Sequence, residues 1–127
     1  MLEEICSPHL RLCMDPTNFF SDAEANPDQV RHVIRGGITA ESGLFSLAHA
    51  KDVAPPKPGA AVTGLSGPGQ GILDYPLYLD LLDEHGYEGP LVIENLTEAD
   101  VPEALAFVEG HIEALAQRKA ARLSPRP

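Results

Sequence analysis

The 127-residue sequence contains no tryptophan and only two cysteines, Cys6 and Cys13. Two cysteines outside a CxxC pattern are too few for a disulfide scaffold. Cys13 lies in an apolar run and reads as a small buried hydrophobe, which fits a reduced, cytoplasmic setting. No apolar stretch approaches the roughly 20 residues of a membrane span. The N-terminus carries Glu3 and Glu4 and lacks the basic-then-apolar form of a signal peptide. Positive charge is scarce as well. Nine Lys and Arg face nineteen Asp and Glu, for a formal net charge of -10. Phosphate backbones and anionic lipid repel such a chain, so neither nucleic acid nor a membrane surface is expected as a partner.

What is present is a chain long enough for one domain with a modest core. Met1 to Ile5 reads as the last turn of a helix stopped by Ser7-Pro8, which suggests sequence missing upstream. Residues 10–14 read as a buried strand, and Asp15-Pro16-Thr17-Asn18 as a sharp turn. A helix is expected from Pro27, with Val30, Val33 and Ile34 on one face and Gly36-Gly37 ending or interrupting it. Residues 44–49 form the next strand. Residues 53–68 form a long Pro- and Gly-rich loop, a length that is often functional. A helix from Tyr75-Pro76 ends near His85-Gly86, and residues 91–94 give a third strand. The last helix, capped by Thr97–Asp100 or Asp100–Glu103, has Leu105, Val108, Ile112 and Leu115 as its apolar stripe. Residues 118–127 are expected to be a disordered basic tail. The order β-α-β-loop-α-β-α argues an α/β fold with a parallel sheet.

Each of the three apolar runs ends in a residue that can ligate a metal: Asp15, His49 and Glu94. The C-terminal ends of parallel strands open on one face, where active sites gather. Asp, His and Glu meeting there suit Mn²⁺, Mg²⁺, Co²⁺ or Zn²⁺. Taken singly, Asp15 also reads as a turn former bonded to the Thr17 or Asn18 backbone, and His49 as a buried imidazole with one hydrogen bond. Strand alternation puts Lys51 on the His49 face and Asp52 on the other. Lys51 is placed to hold a substrate oxygen or to pair with Asp52 or another acid. An acid after Leu91-Val92-Ile93 is costly unless it is solvated, paired or on a metal, which singles out Glu94. Gly67-Pro68-Gly69-Gln70-Gly71 lacks the flanking strand and the Lys-Ser/Thr of a phosphate loop. A loop that closes over substrate fits it better, with a plain linker as the alternative. His9, His32, His85 and His111 lack partners at useful spacing and read as surface residues.

The ordered set Leu12–Asn18, His49-Ala50-Lys51-Asp52-Val53, Gly67–Tyr75 and Gly89–Glu94 resembles the C-terminal part of the xylose isomerase-like TIM barrels, the sugar phosphate isomerase/epimerase group. The resemblance covers residues 1–117 as one domain and implies about the last three βα units of a (β/α)8 barrel, with parallel strands. A complete barrel needs about 250 residues. The resemblance further implies a divalent metal held by Asp15, His49 and Glu94. A second Glu ligand belongs to an earlier strand outside this chain, so metal binding by the chain alone is expected to be weak. Glu94 is implied as an acid/base and Lys51 as a catalytic and substrate-holding residue. Asn18, where many relatives carry His, and Gly69 are implied to face a sugar or sugar phosphate. The implied reaction is proton transfer next to a carbonyl, inactive in the isolated chain. Self-association, or a chain supplying the rest of the barrel, is expected.

Three other readings remain open. A non-catalytic or degraded barrel fragment would keep the fold without the chemistry. The endonuclease IV branch, acting on abasic DNA, fits less well, for want of extra histidines near Asp15 and of basic charge. A compact α/β binding module would leave Asp15, His49 and Glu94 apart in space.

Overall fold

The computed structural model describes residues 7, 9–19, 27–41, 43–54 and 64–123. The expected N-terminal helical turn and residues 55–63 of the long loop lie outside that set. Three strands, β1 (Leu12–Met14), β2 (Phe45–Ala50) and β5 (Leu91–Ile93), form one parallel sheet in the order β1-β2-β5. Two short strands, β3 (Asp52–Val53) and β4 (Leu65–Ser66), pair antiparallel and pinch the two ends of the long loop together. Ladder partners share a face of the sheet. Met14 faces Ala48, Ala48 faces Leu91 and Ala50 faces Ile93 on one side, and Cys13 faces Leu47 and His49 faces Val92 on the other.

Among the described residues, helices cover only the first of these faces. Helix α1 (Pro27–Ala40) buries Val30, Ile34 and Ile38, one residue per turn. It runs straight through Gly36-Gly37, where the sequence leads one to expect an end. Each glycine costs about 1 kcal/mol relative to alanine, and burying Ile38 returns about 1.5–3 kcal/mol. Gly37 has a positive use too, since a Cβ there would lie 2.8 Å from the Phe19 ring.

Helix α2 (Tyr75–Glu84) starts where the Asp74 carboxylate accepts the Leu77 N–H at 3.1 Å. It stops at His85, followed by Gly86 with φ +73°. The core joins Met14, Ala48 and Ala50 of the sheet to Ile34, Ile38, Tyr75, Tyr78 and Leu82 of the helices.

Helix α3 (Val101–Leu123) follows a 3₁₀ turn, Glu98–Asp100, in which Asp100 accepts the Thr97 hydroxyl at 2.7 Å. Two expectations about this helix are corrected. Its buried line is Ala104 and Val108, with Phe107 and Leu115 partly buried, whereas Leu105 and Ile112 are exposed. Among the described helices α3 packs mainly on α2, and Ile112 lies at the edge of a cavity lined by Leu82, Tyr87 and Leu91. Residues 118–123 are helical rather than a disordered tail, because Arg118 reaches Asp80 and Lys119 reaches Asp83, both at 2.6 Å. No described helix is long and apolar enough to cross a membrane.

Candidate metal centre at the strand ends

Asp15, His49 and Glu94 converge as the strand pattern predicts, with one ligand atom of each lying within 4.8 Å of the others. They sit at the C-terminal ends of three adjacent parallel strands. Asp15 plays both parts that the sequence offers it. Its Oδ1 accepts the Thr17 amide at 3.1 Å and the Thr17 hydroxyl at 2.8 Å, closing the turn. That leaves Oδ2 for the site, 3.4 Å from His49 Nδ1. Glu94 extends the β5 ladder through its amide, which donates to the Ala50 carbonyl at 3.0 Å. Asn95 then takes a left-handed φ of 60° and turns the chain away, leaving the Glu94 carboxylate at the strand end.

His49 Nδ1 lies 3.3 Å from Glu94 Oε2 and 3.4 Å from Asp15 Oδ2. Two ligands about 2.1 Å from one cation, at tetrahedral or octahedral angles, stand about 3.0–3.4 Å apart. The donor set, one imidazole nitrogen and two carboxylates, suits a divalent cation in its chemistry, and both His49 separations fall in that range. Nδ1 is the nitrogen that faces the carboxylates. On the other side of the ring Cys13 Sγ lies 3.4 Å from Nε2.

Lys51 occupies the same corner. Its ammonium is 2.5 Å from Asp15 Oδ2 and 3.1 Å from Glu94 Oε2. It does not pair with Asp52, whose side chain leaves the strand on the opposite face. Burial works against both charges of the Lys51–Asp15 pair. For Asp15, hydrogen bonds from Lys51 and Thr17 outweigh burial and hold its carboxyl below the ordinary range. For Lys51, hydrogen bonds to Asp15 and Glu94 outweigh burial and raise the ammonium above its usual value.

Two further sequence expectations, on Cys13 and His111, are corrected. Cys13 is exposed, because its face of the sheet carries no helix among the described residues. Burial, followed by the Asp15 and Glu94 charges, pushes its thiol up. The Gly69 N–H donates to Asp52 Oδ2 at 3.2 Å. His111 is not a bare surface residue but stacks on Tyr75 and meets the Phe107 ring edge-on. Asn18 is exposed on the 3₁₀ turn Pro16–Phe19, and none of the described side-chain hydrogen bonds links it to the three converging residues.

Sequence reasoning missed what stands behind the site. Helix α2 sends two tyrosine hydroxyls to β2 and its end: Tyr78 donates to the His49 carbonyl and Tyr75 to the Lys51 carbonyl, both at 3.0 Å. Burial raises the phenols of both far above their ordinary value, so they act as neutral donors. A Tyr-x-x-Tyr pair one helical turn apart was the available signal.

A family model described as Xylose isomerase-like TIM barrel matches residues 1–114. No curated protein matches the sequence. Among solved structures, a xylose isomerase domain protein from Planctomyces limnophilus is similar, with 27% identity and a TM-score of 0.64. The alignment covers 91% of this chain and 40% of that protein. The mixed α/β fold, with its three-stranded parallel sheet, thus matches part of a TIM barrel.

Proposed function

The chain belongs to the xylose isomerase-like TIM barrel family, a group that includes sugar isomerases and epimerases, and on that premise we propose that it carries part of a divalent-metal-dependent site for sugar or sugar phosphate isomerisation or epimerisation. The single observation behind this reading is the meeting of Asp15, His49 and Glu94 at adjacent strand ends. In it, Asp15 Oδ2, His49 Nδ1 and a Glu94 oxygen would hold Mn²⁺, Mg²⁺, Co²⁺ or Zn²⁺. A bound cation would supply polarisation of the substrate carbonyl and hydroxyl oxygens. Glu94, the more exposed of the two carboxylates, takes and returns the proton beside the carbonyl. The Lys51 ammonium, already directed at anionic oxygens, holds a substrate oxygen and disfavours its loss of position. Asn18, on the turn after Asp15, borders the same rim.

The reading treats residues 1–117 as the C-terminal part of one barrel. Its fourth ligand, a Glu on an earlier strand, comes from a chain or copy that completes the barrel, and the isolated chain does not turn over sugar. A reduced, cytoplasmic setting belongs to the same reading.

A second reading, a barrel fragment without chemistry, is favoured by one specific feature. Lys51 bonds the same two oxygens, Asp15 Oδ2 and Glu94 Oε2, that a cation would use, and so balances them unaided. Calorimetric titration of Mn²⁺ into the wild type and Glu94→Ala separates the two. Saturable binding that the substitution abolishes supports the metal centre. Absence of binding in both supports the fragment.

A further inference from the structure

We propose that Asp52 is a positioning residue that fixes Lys51 between Asp15 and Glu94 by bracing the Gly67–Tyr75 segment against the end of β2. Lys51 lies one residue beyond the last ladder pair of β2, so the sheet does not hold its carbonyl. The Tyr75 hydroxyl does, at 3.0 Å. Tyr75 is delivered to that place by the segment before it, and Asp52 fastens that segment. Asp52 is only 1% exposed, next to Lys51 in sequence. Its Oδ1 accepts the Val53 amide at 2.8 Å and the Leu73 amide at 2.9 Å, and its Oδ2 accepts the Gly69 amide at 3.2 Å.

The glycines make this arrangement possible. A Cβ on Gly71 would stand 2.3 Å from Asp52 Oδ1, and one on Gly69, whose φ is +81°, would stand 2.9 Å from the Phe107 ring. The glycine-rich turn is a nest of amides of the kind that binds anions. Here the anion is the protein's own carboxylate. The brace also reaches the other wall of the site, since a Cβ on Gly67 would lie 3.1 Å from Leu96, two residues after Glu94. Ile72 closes the circuit by donating its amide to the Val53 carbonyl at 3.0 Å. The functional meaning of this brace rests on the metal-centre reading above, whereas the Lys51 contact it sets is measurable with no cation present.

The test is hydrogen exchange of lysine side-chain ammonium groups, followed by nitrogen-detected NMR on the labelled full chain. The sequence has three lysines, Lys51, Lys57 and Lys119, so the spectrum is assignable. Asp52→Asn keeps one acceptor oxygen but turns an amide donor toward the nest. Tyr75→Phe keeps the ring and removes only the hydroxyl that holds Lys51. Loss of one hydrogen bond corresponds to about fivefold in an opening equilibrium. Lys51 exchange is expected to quicken about fivefold in Tyr75→Phe and about tenfold or more in Asp52→Asn. Lys119, paired with Asp83 on the outer helices, is expected to stay unchanged. Unchanged Lys51 exchange in a folded Asp52→Asn would overturn the proposal, leaving Asp52 as a staple for its own loop. Equal quickening at Lys119 would overturn it too, as a general loosening. Should Asp52→Asn fail to fold, Gly71→Ala, whose Cβ would press on Asp52 Oδ1, takes its place: faster Lys51 exchange with Lys119 unchanged upholds the brace and an unaltered rate refutes it.

Discussion

On one face of the parallel sheet Met14, Ala48 and Ala50 are completely buried under the helices. On the other Val92 is 38% exposed, Cys13 is exposed and His49 is half-buried. Both faces belong to the same strands, so β-propensity cannot separate them. What separates them is cover. The covered face carries apolar side chains at each ladder position and supplies the stability. The open face carries the chemistry at its C-terminal rim, and the polar groups there satisfy one another through Lys51 rather than through a packed wall. A barrel interior has this character when only some of its strands are present.

The contrast is broken most severely from the covered side. Tyr78 is fully buried and also holds the His49 carbonyl. Tyr78→Ala is expected to cost about 3–5 kcal/mol in urea unfolding, enough to unfold a domain of marginal stability. A milder loss would mean that the helix layer repacks and is less decisive than its burial implies.

Next in size is the rim. Lys51→Met removes the cation from between two carboxylates and is expected to cost about 1–3 kcal/mol. The same substitution clears the shared oxygens, so Mn²⁺ is expected to raise its melting temperature more than that of the wild type. An equal rise in both would show that Lys51 and a cation do not compete.

Titration sharpens the same point. The Asp15 carboxyl is lowered, so its stabilisation is complete above about pH 3.9 and is lost as pH falls through its folded value. The Lys51 ammonium is raised, so its stabilisation is complete below about pH 10.4 and is lost as pH climbs through its folded value. Unfolding midpoints measured against pH should therefore fall at both extremes in the wild type. In Lys51→Met the alkaline fall should be smaller, what remains coming from the buried Tyr75 and Tyr78 phenols.

The smallest effect belongs to the open face. Val92→Ser should change stability by no more than about 0.5 kcal/mol. A larger loss, dependent on protein concentration in sedimentation, would show that a second copy covers this face.

Much of this was readable in the chain itself. Leu91-Val92-Ile93 followed by Glu94 marks a strand with an acid at its end, and the two other runs repeat that form with Asp15 and His49, though the runs are buried on one face only. Their convergence follows from parallel topology alone. Asp52 was not readable, because its partners are backbone amides spread over residues 53–73, and amides carry no sequence signature. Gly36-Gly37 misled for the opposite reason, since local propensity favours an end there and the burial of Ile38 overrides it. Leu105 and Ile112 look like core by spacing, yet both are exposed, since α3 packs mainly on α2 through Ala104 and Val108.

The parallel ladders also make the site wholly non-local in the chain. Asp15 and His49 stand 34 residues apart in the chain, and Lys51 and Glu94 stand 43 apart. No local hairpin brings any of them together, and closing loops of that size costs entropy before any contact repays it. The four side chains are therefore held together by the parallel ladders and not by local chain, so loss of one ladder would scatter them all at once.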